Sequence, residues 1–154
     1  MHPPSHSSGR LLRLLLIAAN LVTASAFAAA PEFVWRNPTP QGGSLSTVTF
    51  AANRFVAGGL GGRVLTSTDG ATWHLSASIP NFDITEIAFG GNLWVAVGTG
   101  GRILTSPDTV TWTARSSPTT SSLLGVSYAG NQFLACGQNG TLLASPDGTT
   151  WTAR

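Results

Sequence analysis

Residues 145–151 read Ser-Pro-Asp-Gly-Thr-Thr-Trp (SPDGTTW), and near copies stand at 67–73 (STDGATW) and 106–112 (SPDTVTW). The three serines lie 39 residues apart, and so do Trp73, Trp112 and Trp151. The same interval relates Phe50, Phe89 and Tyr128; Asn53, Asn92 and Asn131; Phe55, Trp94 and Phe133; Gly59, Gly98 and Gly137; and Leu65, Leu104 and Leu143. A period held at so many positions marks a repeat architecture, in which each unit buries its apolar surface against the next.

Within the second unit, four short apolar runs are visible: ITEIAF (84–89), LWVAVG (93–98), RILTS (102–106) and TWTAR (111–115). The breaks between them, GGN, TGG and SPDTV, are rich in residues that supply turn geometry. Runs of this length suit strands, here called A, B, C and D, and no helical period interrupts them. Strand B is apolar at successive positions in each unit (FVAGG, WVAVG, FLACG), as a sheet covered on both faces requires. Four antiparallel strands per ~40 residues, stacked face to face, describe a β-propeller blade. The expected fold is therefore all-β, an array of three four-stranded blades in repeats 45–76, 84–115 and 123–154. EFVWRN (32–37) reads as a further D strand, with Trp35 in the place of Trp73. Two arrangements stay open: a partial propeller from a longer array, or a half-ring that a second copy completes as a six-bladed homodimer.

The N-terminus reads differently. A polar stretch with Arg10 and Arg13, the apolar run LLLIAANLV (14–22) and the small-residue stretch TASAFAAA (23–30) have the order of a secretory signal peptide. The expected leader is 1–28, cut after Ala28, leaving 29–154 as the repeat domain in a secreted or periplasmic protein; an uncleaved anchor is the alternative. The apolar run is short for a bilayer core of ~30 Å, so no stable membrane span is expected once the leader is cut. All eight basic residues are Arg, and losing Arg10 and Arg13 leaves six against six acids. That balance provides no concentrated basic face for nucleic acid. Cys136 is the single cysteine, so no intrachain disulfide forms. It aligns with Val97 and is expected as a small buried apolar residue.

The recurring turn places Ser67, Ser106 and Ser145, then Asp69, Asp108 and Asp147, where hydroxyl and carboxylate oxygens can accept backbone N–H groups of the same turn. Gly70 and Gly148 suit a positive φ; Thr109 at that position is strained by ~1 kcal/mol, and Thr109→Gly is then expected to raise the melting temperature. One carboxylate per turn is too few for a calcium site. Boxes dispersed one per blade form no acid–base pair. The pattern Ser-x-Asp-Gly-x-Thr-Trp resembles the Asp-box (BNR) repeats of sialidase-like propellers. The longer stretch WVAVGTGGRILTSPDTVTW is similar to exported photosystem II stability/assembly factor-like repeat proteins. The resemblance covers nearly all of 32–154 and implies architecture rather than activity. The turn is one residue tighter than the usual sialidase form.

Strand parity puts the A–B and C–D turns on one end of the array and the B–C and D–A loops on the other. The second end carries Arg63 and Arg102 at one repeat position, Arg36 and Arg115 near the D–A loops, and Phe82 and Asp83 within one of them. Arginines so placed can hold carboxylates or an acidic protein surface. A sialidase-like site would need a Tyr nucleophile with a Glu partner and an acid, whereas Tyr128 aligns with core aromatics. His74 is the only histidine after the leader and belongs to no Ser or Cys constellation. The expected function is an exported, non-enzymatic module presenting loops to a protein partner, without cofactor, metal or catalytic residues. The alternative is a remnant of a carbohydrate-binding or sialidase-like hydrolase with a glycan partner.

Overall fold

A computed structural model describes residues 43–154. The leader at 1–28, the strand at 32–37 and Arg36 fall outside the described residues. Each 39-residue unit forms one four-stranded sheet. The first contains β1 (Leu45–Ala51), β2 (Arg54–Gly59), β3 (Arg63–Ser67) and β4 (His74–Ser78). The second contains β5 (Ile84–Gly90), β6 (Leu93–Gly98), β7 (Ile103–Ser106) and β8 (Thr113–Arg115). The third contains β9 (Leu123–Ala129), β10 (Gln132–Gly137), β11 (Leu142–Ser145) and β12 (Thr152–Ala153). Every neighbouring pair is antiparallel and follows sequence order, the meander of a propeller blade. No helix among the described residues is long and apolar enough to cross a membrane.

Local chemistry sets these hairpins. The first turn of each blade has two central residues, Ala52-Asn53, Gly91-Asn92 and Gly130-Asn131, all at positive φ. This is the type I′ geometry that matches strand twist and favours Gly followed by Asn or the reverse. The second turn is a tight 3-10 turn at Leu60–Gly62, Thr99–Gly101 and Gln138–Gly140. Its first N–H donates back to the segment entering the blade: Leu60 to the Ser44 carbonyl at 2.9 Å, Thr99 to Asp83 at 3.2 Å and Gln138 to Ser122 at 2.9 Å. The recurring Gly59, Gly98 and Gly137 sit beneath that contact. A Cβ there would stand 2.1, 2.0 and 2.4 Å from those same carbonyl oxygens, so only glycine fits.

The core lies between sheets. Val56 and Val64 of the first blade pack with Ile84, Ile87, Trp94, Ala96 and Leu104 of the second. Val95, Val97 and Ile103 of the second pack with Leu123, Val126, Phe133 and Leu143 of the third. The middle blade is thus buried on both faces, and Val95, Ala96 and Val97 are fully inaccessible. Hydroxyls on the first strands tie adjacent blades: Ser46 donates to the Ile84 carbonyl, Thr49 to Ile87 at 2.7 Å and Thr85 to Leu123 at 2.7 Å. The next position in that series is Leu124, which is exposed.

Cys136 departs from the sequence expectation. It is exposed, whereas its repeat counterpart Val97 is fully buried. Val97 is covered by the third blade; Cys136 points from the far face of that blade, where no further sheet stands among the described residues.

Ala52 occupies a left-handed position, φ 47°, which the other two blades give to glycine. An L-residue there costs roughly 1–2 kcal/mol, offset by the larger unfolded-state entropy of glycine of about 0.5–1 kcal/mol. Ala52 is exposed, so its methyl contributes little packing. Ala52→Gly is expected to raise stability by about 0.5–1 kcal/mol in urea titration; a fall of that size would contradict the turn assignment.

Candidate functional site

At the end of the array that carries the C–D turns, the three Ser-x-Asp turns share the same aspartate and tryptophan hydrogen bonds. Asp69 Oδ1 accepts the N–H groups of Ala71 and Thr72 at 2.9 and 2.8 Å, and Ser67 Oγ accepts the Gly70 N–H at 2.9 Å. Asp108 accepts Val110 and Thr111 at 2.9 and 2.8 Å, and Ser106 accepts Thr109 at 2.8 Å. Asp147 accepts Thr149 and Thr150, both at 2.8 Å. Each serine hydroxyl donates to its aspartate at 2.9–3.0 Å. The tryptophan closes the turn by donating Nε1–H to the carbonyl three residues back, Trp73 to Gly70, Trp112 to Thr109 and Trp151 to Gly148. Trp151 is buried in the core, and its ring lies 6.4 Å from Phe133. Serine, aspartate and tryptophan therefore satisfy backbone groups that a hairpin of this shape leaves unpaired.

These bonds lower all three carboxyls, and hold Asp69 and Asp147 well below the usual carboxylate range. For Asp69 the Thr72 N–H is the largest cause, then that of Ala71; for Asp108 it is Thr111, then Val110; for Asp147 it is Thr150, then Thr149. The remaining described acids also face backbone. Asp83 Oδ1 accepts the Gly61 N–H at 2.8 Å, and Glu86 Oε2 lies 3.4 Å from the Val126 nitrogen, which donates to it. No group of three His, Cys, Asp or Glu residues that could hold a metal occurs among the described residues.

The opposite end holds the other residues singled out from sequence, and the structure separates them. Phe82 is buried between the first two blades, at 1% exposure, and is not presented to a ligand as a loop residue would be. The Arg102 guanidinium lies 5.0 Å from the Phe82 ring centroid and donates to the Asn81 carbonyl. Arg102 is thus half-buried and fixed by a cation–π contact, with its charge at the surface. Asp83 fastens the neighbouring B–C turn through Gly61. Arg115 Nε donates to Thr105 Oγ1 at 2.8 Å, which turns the side chain onto its own sheet and away from the loop. Arg63 is half-buried one repeat before Arg102, and the third blade has Thr141 there. Sequence reasoning missed Asn81 and Asn139, both at positive φ at this end; Asn139 Nδ2 donates to Ser121 Oγ at 3.1 Å. Their signal was an asparagine in a loop, a residue that tolerates the left-handed region.

Thr109 does have φ 72°, matching 73° at Gly70 and Gly148. The expected gain from Thr109→Gly nevertheless meets an opposing effect, because Thr109 is 1% exposed and its hydroxyl donates to the Asp108 carbonyl and lies 3.5 Å from Ser76 Oγ. Removing a buried methyl and hydroxyl costs ~1 kcal/mol, about what the strain relief returns. Thr109→Gly is therefore expected to leave the melting temperature nearly unchanged. The reverse exchange is not symmetric. A Cβ on Gly148 would meet Leu93 Cδ2 at 3.0 Å and Phe133 Cε2 and Val95 Cγ2 at 3.2 Å. Gly148→Thr is expected to cost at least ~2 kcal/mol in the same melts.

The depressed carboxyls also fix a pH dependence. A carboxyl titrating lower in the folded than in the unfolded chain contributes stability that is complete above the unfolded value of ~3.9 and is lost as pH falls through the folded value. The urea midpoint should hold steady from pH 7 to 5 and decline continuously below about pH 4. Replacing Asp69, Asp108 and Asp147 together by Asn should lower the plateau and flatten the acid decline; an unchanged slope would remove these turns as its origin.

Among solved structures, YCF48 from Cyanidioschyzon merolae is similar at 25% identity and a TM-score of 0.64, covering 75% of this chain and 38% of that one. A structure of YCF48 bound to D1 peptide is similar in fold, at 19% identity and a TM-score of 0.62, covering 72% of this chain and 39% of that one. The chain thus spans less than two fifths of the length of either structure. No curated protein matches it. The model of the DUF6242 beta propeller domain matches residues 32–154, a range that takes in the three blades described above, and the chain belongs to that family.

Proposed function

We propose that the chain is an exported, non-enzymatic propeller module that binds a protein partner through the end formed by its B–C turns and D–A loops. The observation that carries this reading is the state of the carboxylates. Every acidic residue among the described residues faces a backbone N–H, and the three that recur are the ones most firmly held. A general acid needs a proton near neutral pH, and groups held this far below their ordinary range carry none. In this reading the Ser-x-Asp turns are Asp-box turns used as staples. The loop end is supported by its arginines, with Arg102 held in place over Phe82. The likeness to a propeller whose structure holds a peptide supports a protein ligand. The order of polar, apolar and small residues over 1–28, read from sequence as a leader, supports export.

The test uses peptides selected from a random display library on the purified protein, with affinity measured by titration calorimetry. Arg63→Ala with Arg102→Ala should weaken binding at least about tenfold, the loss of one or two charged contacts. Thr68→Ala, on the opposite end, should leave it unchanged. Binding indifferent to the arginine pair would place the ligand elsewhere, and turnover of a fluorogenic sialoside would replace the non-enzymatic reading with a hydrolase. N-terminal sequencing of the exported protein should begin at Ala29.

A further inference from the structure

We infer that the two outer sheet faces of the array are the halves of one interface, and that a second copy of this chain fills both to close a six-bladed ring. Each blade has a leading face, turned toward the blade before it, and a trailing face. On the leading face of the middle blade Ile84, Ile87, Phe89 and Trp112 pack against the first blade. On that of the third blade Leu123, Val126, Tyr128 and Trp151 pack against the middle one. The first blade carries Leu45, Val48, Phe50 and Trp73 at the same positions, yet Leu45, Val48 and Phe50 are 49%, 62% and 58% exposed. They border a hollow of about 500 Å³ floored by Ala57 and Leu65.

The trailing faces repeat the pattern. Val95, Val97 and Ile103 receive the third blade. Their counterparts on the third blade, Leu134, Cys136 and Leu142, line an open depression together with Glu86 of the middle blade, and Leu142 is 43% exposed. Thr49 on the first blade donates its hydroxyl to the Ile87 carbonyl of the next. Ser127 holds that position on the third blade and is exposed, so its matching acceptor would be the carbonyl of Val48 of the partner subunit.

What fits each outer face is therefore written inside the chain twice: a leading face of this repeat seats on a trailing face of this repeat, and the described residues present one of each. Among the described residues, the one acid that lines either face, Glu86 at the trailing depression, already accepts the Val126 N–H at 3.4 Å, so closing the ring covers a carboxylate that keeps a backbone donor. A contact between unlike faces makes either an open filament or a closed ring. Two three-blade arrays related by a two-fold axis make six blades, inside the range of about 4–8 that propellers adopt.

Sedimentation velocity on the full chain should give twice the monomer mass. Val48→Glu and Leu142→Glu, both at exposed positions of the single array, should each halve that mass while leaving the circular dichroism spectrum and melting cooperativity of a folded sheet. An equimolar mixture of the two variants should recover dimer, because one interface in the mixed pair carries no substitution. A monomeric parent chain, mass that grows with concentration without limit, or a dimer that survives both substitutions would each overturn the proposal. A monomer that dimerises only after removal of residues 1–42 would also overturn it, by assigning the leading face to that segment. The peptide titration reads the loop end and stands or falls separately.

Discussion

A four-stranded sheet that is apolar on both faces is stable only between two other surfaces, and the structure follows from that constraint. Val95, Ala96 and Val97 are consecutive in one strand and all fully buried, with alternate residues facing opposite neighbours. Burying one such side chain is worth about 1.5–3 kcal/mol, and one blade buries several on each face. No blade holds that burial alone. The hydroxyls of Ser46, Thr49 and Thr85, which donate to carbonyls of the following blade, add direction to a contact that apolar packing leaves free to slide.

Stacking leaves the hairpin turns outside the core, where their N–H groups must be satisfied locally. The Ser-x-Asp turn does this with two side-chain oxygens and an indole donor, and its cost falls on electrostatics. An aspartate that accepts two backbone N–H groups favours the ionised form and holds no proton to donate near neutral pH. The same arrangement that stabilises the turn therefore disfavours a general-acid role for these three carboxylates. This links fold to function by exclusion of a role, and it shifts attention to the opposite end, where side chains such as Arg102 are anchored without being neutralised.

The sheet count, strand order and hairpin positions were readable in the sequence because each position was printed three times. A periodic register exposes which residues alternate between faces and which glycines are obligatory, as at Gly59, Gly98 and Gly137. What was not readable was direction relative to neighbours. Phe82 sits in a loop by sequence but is drawn into the space between two blades. Arg115 ends a strand yet folds back to Thr105. Cys136 aligns with a buried valine, but burial belongs to the interface and not to the position. The burial of Phe82 and the exposure of Cys136 depend on a second blade, and no single repeat encodes them.

The repeat also supplies its own controls, because a departure at one position can be compared with two undisturbed relatives. Thr109 replaces glycine at a left-handed position, the kind of substitution that strain alone disfavours. The preceding blade explains why it is tolerated. At Gly148 the neighbours are Leu93 and Val95, close enough that an added Cβ would force them to shift. One repeat earlier the place of Leu93 is taken by Arg54, which is exposed and extends to the Asp108 carbonyl at 3.4 Å. A long side chain that leaves the interface for solvent makes room that a leucine fills. The strained threonine and the departing arginine are two halves of one local repacking, and each is intelligible only in the presence of the other.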